Sequence, residues 1–211
     1  MATTATSKTR RTATREERRR QLIDATMKCI ARKGLSNTSI GDVAREAGLS
    51  QGIVNLHFKS KDNLLTETLR SLANDYRAIF DKTLAKAGPN PADALLALAK
   101  MDLRPKMLDP QKLAIWFAFW GEVKSRPTYR KICDEYDRYY DSEVKRLCAE
   151  IIAEGGYEVD AAVATEALTS MSNGLWLSYI ISPQDFDRGT AKEAIMSYLT
   201  NVFPNHYQGT K

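Results

Sequence analysis

The chain has no run of consecutive apolar residues near the length of about 18 that a membrane-crossing helix needs. Its first twenty residues are polar and basic, without an apolar segment, which predicts no secretory signal. Cysteine is scarce and odd in number: Cys29, Cys133 and Cys148 cannot make a disulfide framework and fit reduced core thiols in a cytoplasmic protein. There are only two histidines, His57 and His206, and neither has a Glu three residues away, so no metal site is expected. No cofactor is expected either. Short alternating β-branched runs bounded by turns are missing, which removes the signal for strands. Proline is absent before Pro89.

What remains is a chain of 211 residues, 43% hydrophobic, ample for a core. The prolines fall at Pro89, Pro91, Pro105, Pro110, Pro127, Pro183 and Pro204, each near a break in helical periodicity. Periodicity and these breaks predict nine helices over 15–33, 39–47, 51–57, 61–86, 91–104, 110–125, 127–154, 159–181 and 187–203. The fold class is all-α. Three units are expected: a basic flexible arm over 1–14, a DNA-binding head over 15–60, and a ligand-binding and dimerisation body over 61–211.

The head is the most legible part. Thr14 and Glu17 make a capping-box start for the first helix, whose Leu22, Ala25, Thr26, Cys29 and Ile30 form one stripe. Thr38 and Ser39 precede a second helix with Asp42 at the capping-box spacing and Ile40, Val43, Ala44 and Ala47 on one face. Gly48 is suited to the left-handed conformation that stops a helix and turns the chain. Ser50 then caps a third helix with Ile53, Val54 and Phe58 inward and Gln51, Asn55 and His57 outward. Helix, glycine turn and helix make a helix-turn-helix, whose second helix reads the DNA major groove.

Charge agrees. Lys8, Arg10, Arg11, Arg15, Arg18, Arg19 and Arg20 face only Glu16 and Glu17 in the first twenty residues, which carry the whole formal excess of +5. A basic arm beside such a head suits attraction to phosphate, although a solvated tail would have the same composition.

Residues 15 to 65 resemble the DNA-binding head of the TetR family of ligand-responsive repressors. The likeness is carried by Thr38-Ser39, Ala44, Gly48, the Phe58-x-x-Lys61 step and Leu64. Asn55 departs from it, standing where many members have an aromatic residue, usually Tyr. The resemblance implies phosphate contacts from Thr38 and Ser39 at a helix start and from Lys61 at the next. Ser50, Gln51, Gly52, Asn55 and His57 complete the implied DNA-binding set. Gln51 and Asn55 can form bidentate hydrogen bonds to adenine, and Gly52 lets the backbone approach closely. His57 either contacts DNA or hydrogen-bonds the preceding turn.

In the body, Leu113 to Gly121 is apolar all round and must be a central helix. Its aromatics and those that follow either fill a core or line a site. Trp116, Trp120, Tyr136 and Trp176 are the pocket candidates. Asp134, Asp137 and Asp141 share a helix face. Beside aromatic rings they fit a cationic ligand, yet surface pairs of Asp134 with Arg138 and Asp141 with Lys145 are the preferred reading. The segments AIWFAFWGEVKSRPTYR (114–130) and NGLWLSYIIS (173–182) resemble the choline-responsive branch of the family, repressors of glycine betaine synthesis. That resemblance implies choline as inducer.

The last two helices carry apolar stripes. Leu168, Met171, Leu175, Ile195, Leu199 and Val202 either pack on the chain's own core or form a four-helix interface in a homodimer. A dimer implies a pseudo-palindromic double-stranded operator. Two rivals compete with this regulator, which is expected not to be an enzyme: a helical metal-dependent enzyme using the aspartates, and a non-specific architectural DNA protein.

Overall fold

A computed structural model describes residues 14–208. The basic arm with Lys8, Arg10 and Arg11 lies almost wholly outside them. Ten helices follow in order among the described residues, with no strand. The head comprises α1 (Arg15–Lys33), α2 (Ile40–Ala47) and α3 (Gln51–Phe58); α4 (Lys61–Ala87) leads out of it. The body adds α5 (Pro91–Met101), α6 (Pro110–Glu122), α7 (Pro127–Gly155), α8 (Ala161–Ile181), α9 (Arg188–Val202) and α10 (Pro204–Tyr207).

Local chemistry sets the head's boundaries. Thr14 and Glu17 satisfy each other's backbone N–H groups, as do Ser39 and Asp42, so both helices start with a complete capping box. Gly48 ends α2 in the left-handed conformation, a cap that its missing Cβ makes inexpensive. α3 ends differently. Lys59 takes a positive φ without being glycine, and Ser60 beyond it caps α4.

Two boundaries in the body depart from expectation by three residues, the others by no more than two. α5 stops at Met101 instead of reaching 104, since Pro105 disfavours helical backbone at Arg104 and the chain folds into turns hydrogen-bonded at Met101 and Arg104. α6 stops at Glu122, short of 125, and hydrogen-bonded turns lead to Pro127. α10 is additional to the nine expected helices. Pro204 opens this single further turn, which buries Tyr207 and lets its hydroxyl donate to the Ala92 carbonyl at 2.8 Å.

Two hydrophobic cores result. The head's is small: Leu22, Ala25, Cys29, Val43, Ala44, Val54, Phe58 and Leu64. The body's runs through α4 to α10 and includes Ile30 and Leu35 from the head side. α6 is central as its apolar run demands, packing on α1, α4, α7 and α8 with no exposed residue from Lys112 to Trp120. Cys29, Cys133 and Cys148 are free and buried. Arg19 ties the head to α4. Its guanidinium sits 4.7 Å from the Phe58 ring centroid, a cation–π contact. The same group pairs with Glu67 at 2.8 Å.

Replacing Phe58 by Ala should cost about 3–5 kcal/mol, felt mostly in the small head core. All three tryptophans lie in the body, so their fluorescence should change later in urea than the far-ultraviolet helix signal. Coincident transitions would show that head and body unfold as one unit.

Candidate functional site

The first site is the outward side of the helix-turn-helix. Val54 and Phe58 anchor α3 to the head core, which leaves Gln51, Gly52, Asn55 and Leu56 exposed, followed by Lys59. Asn55 and Gln51 are thus presented as expected, one turn apart. Gln51 also lies against α2. A Cβ at Gly41 would stand 3.1 Å from its Nε2, so glycine there makes room for the amide. Ser50 is exposed, its Oγ accepting from Ile53 N.

Three expected contact residues stand differently. Thr38 is 2% exposed, and its hydroxyl donates to the Gly34 carbonyl at 2.8 Å, so its side chain braces the turn before α2 instead of meeting phosphate. His57 is half-buried at the helix edge, with Nδ1 enclosed and without a protein partner, and so does not face freely outward. Lys61 reaches back to donate to the Ser36 carbonyl at 3.1 Å, which occupies one of its three ammonium N–H donors and leaves two for a phosphate. Ser39 is exposed as required. Its hydroxyl is shared with Asp42, whose carboxyl is held far below the usual range by hydrogen bonds from Lys33 and Ser39. Exposed Leu56 has no warning in the sequence, because period counting assigns apolar residues inward.

The second site is a cavity of about 150 Å³ inside the body. Trp116, Trp120, Tyr136 and Trp176 all line it, three helices bringing together residues far apart in the chain. Trp116 is the hub. Its ring lies 5.3 Å from Tyr136 at 71°, 6.1 Å from Trp120, and 5.5 Å from Tyr76 at 87°. Tyr76, from α4, backs this group and also packs 5.8 Å from Trp176.

Tyr140 adds a fifth ring, and the rest of the lining is polar: the carboxylates Asp102, Asp137, Asp141 and Glu166 with neutral residues such as Ser172 and Asn173, and no basic side chain. Asp134 does pair with Arg138, as expected. The expected pair of Asp141 with Lys145 is absent among the described residues, and Asp141 faces the cavity, because the inward turn of α7 carries it there beside Tyr136 and Tyr140. Burial pushes the Asp137 carboxyl up to about 6, with Asp141 and Asp134 adding repulsion. Burial also raises Asp141, with Glu166 contributing.

Asp102 gives no signal in the sequence, since an aspartate closing a helix reads as a surface residue. It is 1% exposed, and burial pushes its carboxyl up to about 6. Its backbone carbonyl accepts from Trp176 Nε1 at 3.0 Å, and its Oδ2 accepts from the Tyr140 hydroxyl at 2.9 Å. Asp102 Oδ1, Trp120 Nε1 and Ser172 Oγ are buried around the cavity without a protein partner. Unpaired buried polar groups cost about 1–3 kcal/mol each, a cost that water or a polar occupant relieves. Among the described residues these carboxylates form no metal-binding cluster.

Of the expected interface residues, Leu168, Ile195 and Leu199 are buried in the chain's own core, where α8 and α9 pack on it. Met171, Leu175 and Val202 are half-buried. The exposed large apolar residues of α8 are Val163, Leu177 and Ile181, none of them in the expected set. No helix among the described residues is long and apolar enough to cross a membrane.

Comparison with known proteins covers both sites. Residues 22–68 match the model for bacterial regulatory proteins of the tetR family, and residues 91–204 match the BetI-type transcriptional repressor C-terminal domain. The HTH-type transcriptional regulators BetI of Paraburkholderia phymatum and Burkholderia thailandensis are each 32% identical over 188 residues. They cover 88% of this chain and 92% and 93% of their own lengths. A transcriptional regulator from Pseudomonas aeruginosa PAO1 superposes with a TM-score of 0.83 at 25% identity, covering 95% of this chain and 97% of that one. A regulator from Saccharomonospora viridis, solved in complex with choline, shares the fold at TM-score 0.76 and 22% identity, over 87% of this chain and 96% of that one.

The exposed side of α3 yields a testable outcome. Gly52 is helical, and a Cβ there would meet nothing closer than Ser50 Oγ at 3.7 Å. Gly52→Ala should therefore stabilise the fold by about 0.5–1 kcal/mol in urea unfolding. The same variant should bind duplex DNA more weakly, by gel shift, if the bare backbone is a contact surface.

Proposed function

The chain belongs to the TetR family of transcriptional regulators and has a BetI-type repressor body, and on that premise we propose that a small organic cation such as choline releases it from DNA. A regulator, not an enzyme, is what the family comprises. The carrying observation is the cavity: five aromatic side chains and four carboxylates converge there without one basic side chain. Indole and phenol faces attract a quaternary ammonium by up to about 2 kcal/mol when desolvated, and the carboxylates supply charge balance. The cavity suits a small cation and is far smaller than the sites that drug-sized ligands usually occupy. The choline bound to the Saccharomonospora viridis regulator supports the same reading.

The regulator acts in the cytoplasm on a pseudo-palindromic operator, as a homodimer, and controls genes of glycine betaine synthesis. Ser39, Ser50, Gln51, Gly52, Asn55 and Lys61 meet DNA. Their position on the outward side of the head and the adjacent basic arm support this. The dimer forms through the outer faces of α8 and α9, supported by exposed Val163, Leu177 and Ile181 and half-buried Met171 and Leu175 on α8 and by half-buried Val202 on α9.

Calorimetric titration should show choline binding about thirtyfold more tightly than its neutral carbon isostere, 3,3-dimethylbutanol. Equal affinities, or no choline-driven operator release, would refute the cation reading. A pH profile adds a check. Burial raises Asp137 and Asp102, so both hold protons between about 4 and 6 in the ligand-free fold, which loses stability as pH rises through that window. A bound cation favours the ionised carboxylates and expels those protons. Affinity should therefore rise from pH 5 to about 6.5, flatten above, and show proton release near pH 6. Asp137→Asn should weaken choline and shrink that pH dependence.

A further inference from the structure

Leu56 is 72% exposed at the centre of the outward side of α3. Among the described residues only four large hydrophobic side chains are exposed, Leu56 the most, and the other three, Val163, Leu177 and Ile181, share α8. Leu56 alone lies on the head. Its exposed neighbours on the same side are polar or bare: Gln51, Asn55 and Lys59, with Gly52 one turn earlier.

The glycine explains the leucine. Helical side chains lean toward the N-terminus, so Leu56 extends over position 52, four residues back. Gly52 has no left-handed backbone to require it and no close neighbour to exclude a Cβ. A helix-interior glycine is nevertheless costly relative to alanine. Neither backbone geometry nor internal packing accounts for it, whereas close approach of an outside surface does. Together the two residues make a shallow apolar shelf beside two amides.

We infer that Leu56, leaning over Gly52, is a specificity residue that reads the 5-methyl group of a thymine in the major groove. This rests on the proposal that α3 enters that groove. There thymine displays a methyl group that no other base has, and apolar side chains are its recognised partners. Gln51 and Asn55, with donors and acceptors, suit the paired adenine edge or its neighbours. A polar-only reading helix would have no use for a solvated leucine.

The test separates the methyl from every hydrogen bond. Duplexes selected by the full-length protein are remade with each thymine replaced singly by deoxyuridine, and affinities are measured for wild type and Leu56→Ala. At one or two positions per half-site, wild type should lose about fourfold, the equivalent of about 0.8 kcal/mol per methyl-sized group at about 1.4 kcal/mol per tenfold. At those positions Leu56→Ala should lose nothing further. Because the residue is solvent-exposed, the variant should keep its helical content and unfolding midpoint.

Uniform weakening on all duplexes, or uridine sensitivity that persists undiminished in Leu56→Ala, overturns the inference while leaving DNA reading intact. A change in oligomeric state of the DNA-free variant would assign the leucine to a protein contact and also overturns it. If wild type selects no sequence from the pool, the DNA-reading proposal itself fails.

Discussion

One uninterrupted helix serves two cores. α4 gives Leu64 to the small core of the head, and from the next residue onward Leu65, Leu69, Leu72, Tyr76 and Phe80 belong to the body. No proline or glycine interrupts it from Lys61 to Ala87, so continuous backbone hydrogen bonds fix the angle at which α3 is held. The cavity touches the same rod, because Tyr76 packs against both Trp116 and Trp176. Movement of those rings must be met by Tyr76, and so by α4.

α6 reinforces that connection. It carries Trp116 and Trp120 to the cavity while packing against α1 of the head. A ligand can alter the head's position only through a difference in its affinity for two arrangements of this contact. The unpaired buried atoms Asp102 Oδ1, Trp120 Nε1 and Ser172 Oγ favour an occupied cavity, since their cost falls when an occupant satisfies them. Carboxylates crowded by burial work in the same direction for a cation.

The two sites differ in how legible they were. Ser39, Gly48, Ser50 and the inward Val54 and Phe58 follow from capping and the helical period, which act within a few residues of chain. Trp116, Trp120, Tyr136 and Trp176, four of the five cavity aromatics, followed from composition and family likeness. Thr38, His57, Leu56 and Asp102 did not follow. Each depends on which way one side chain turns once helices have docked: Thr38 onto Gly34, His57 against the head's edge, Leu56 into solvent, Asp102 beneath Tyr140.

The amino-acid order by itself determined nine of the ten helices and, within two residues, their starts, because caps, glycines and prolines act on local backbone geometry. It could not separate an apolar stripe that covers the chain's own core from one that faces outward. Docking decided that, burying Leu168, Ile195 and Leu199 and leaving Val163, Leu177 and Ile181 exposed. Docking likewise turned Asp137 and Asp141 from expected surface groups into the acidic wall of a cavity. Helical periodicity gives a residue's angle around its own axis, and only the packing of neighbouring helices determines what stands opposite.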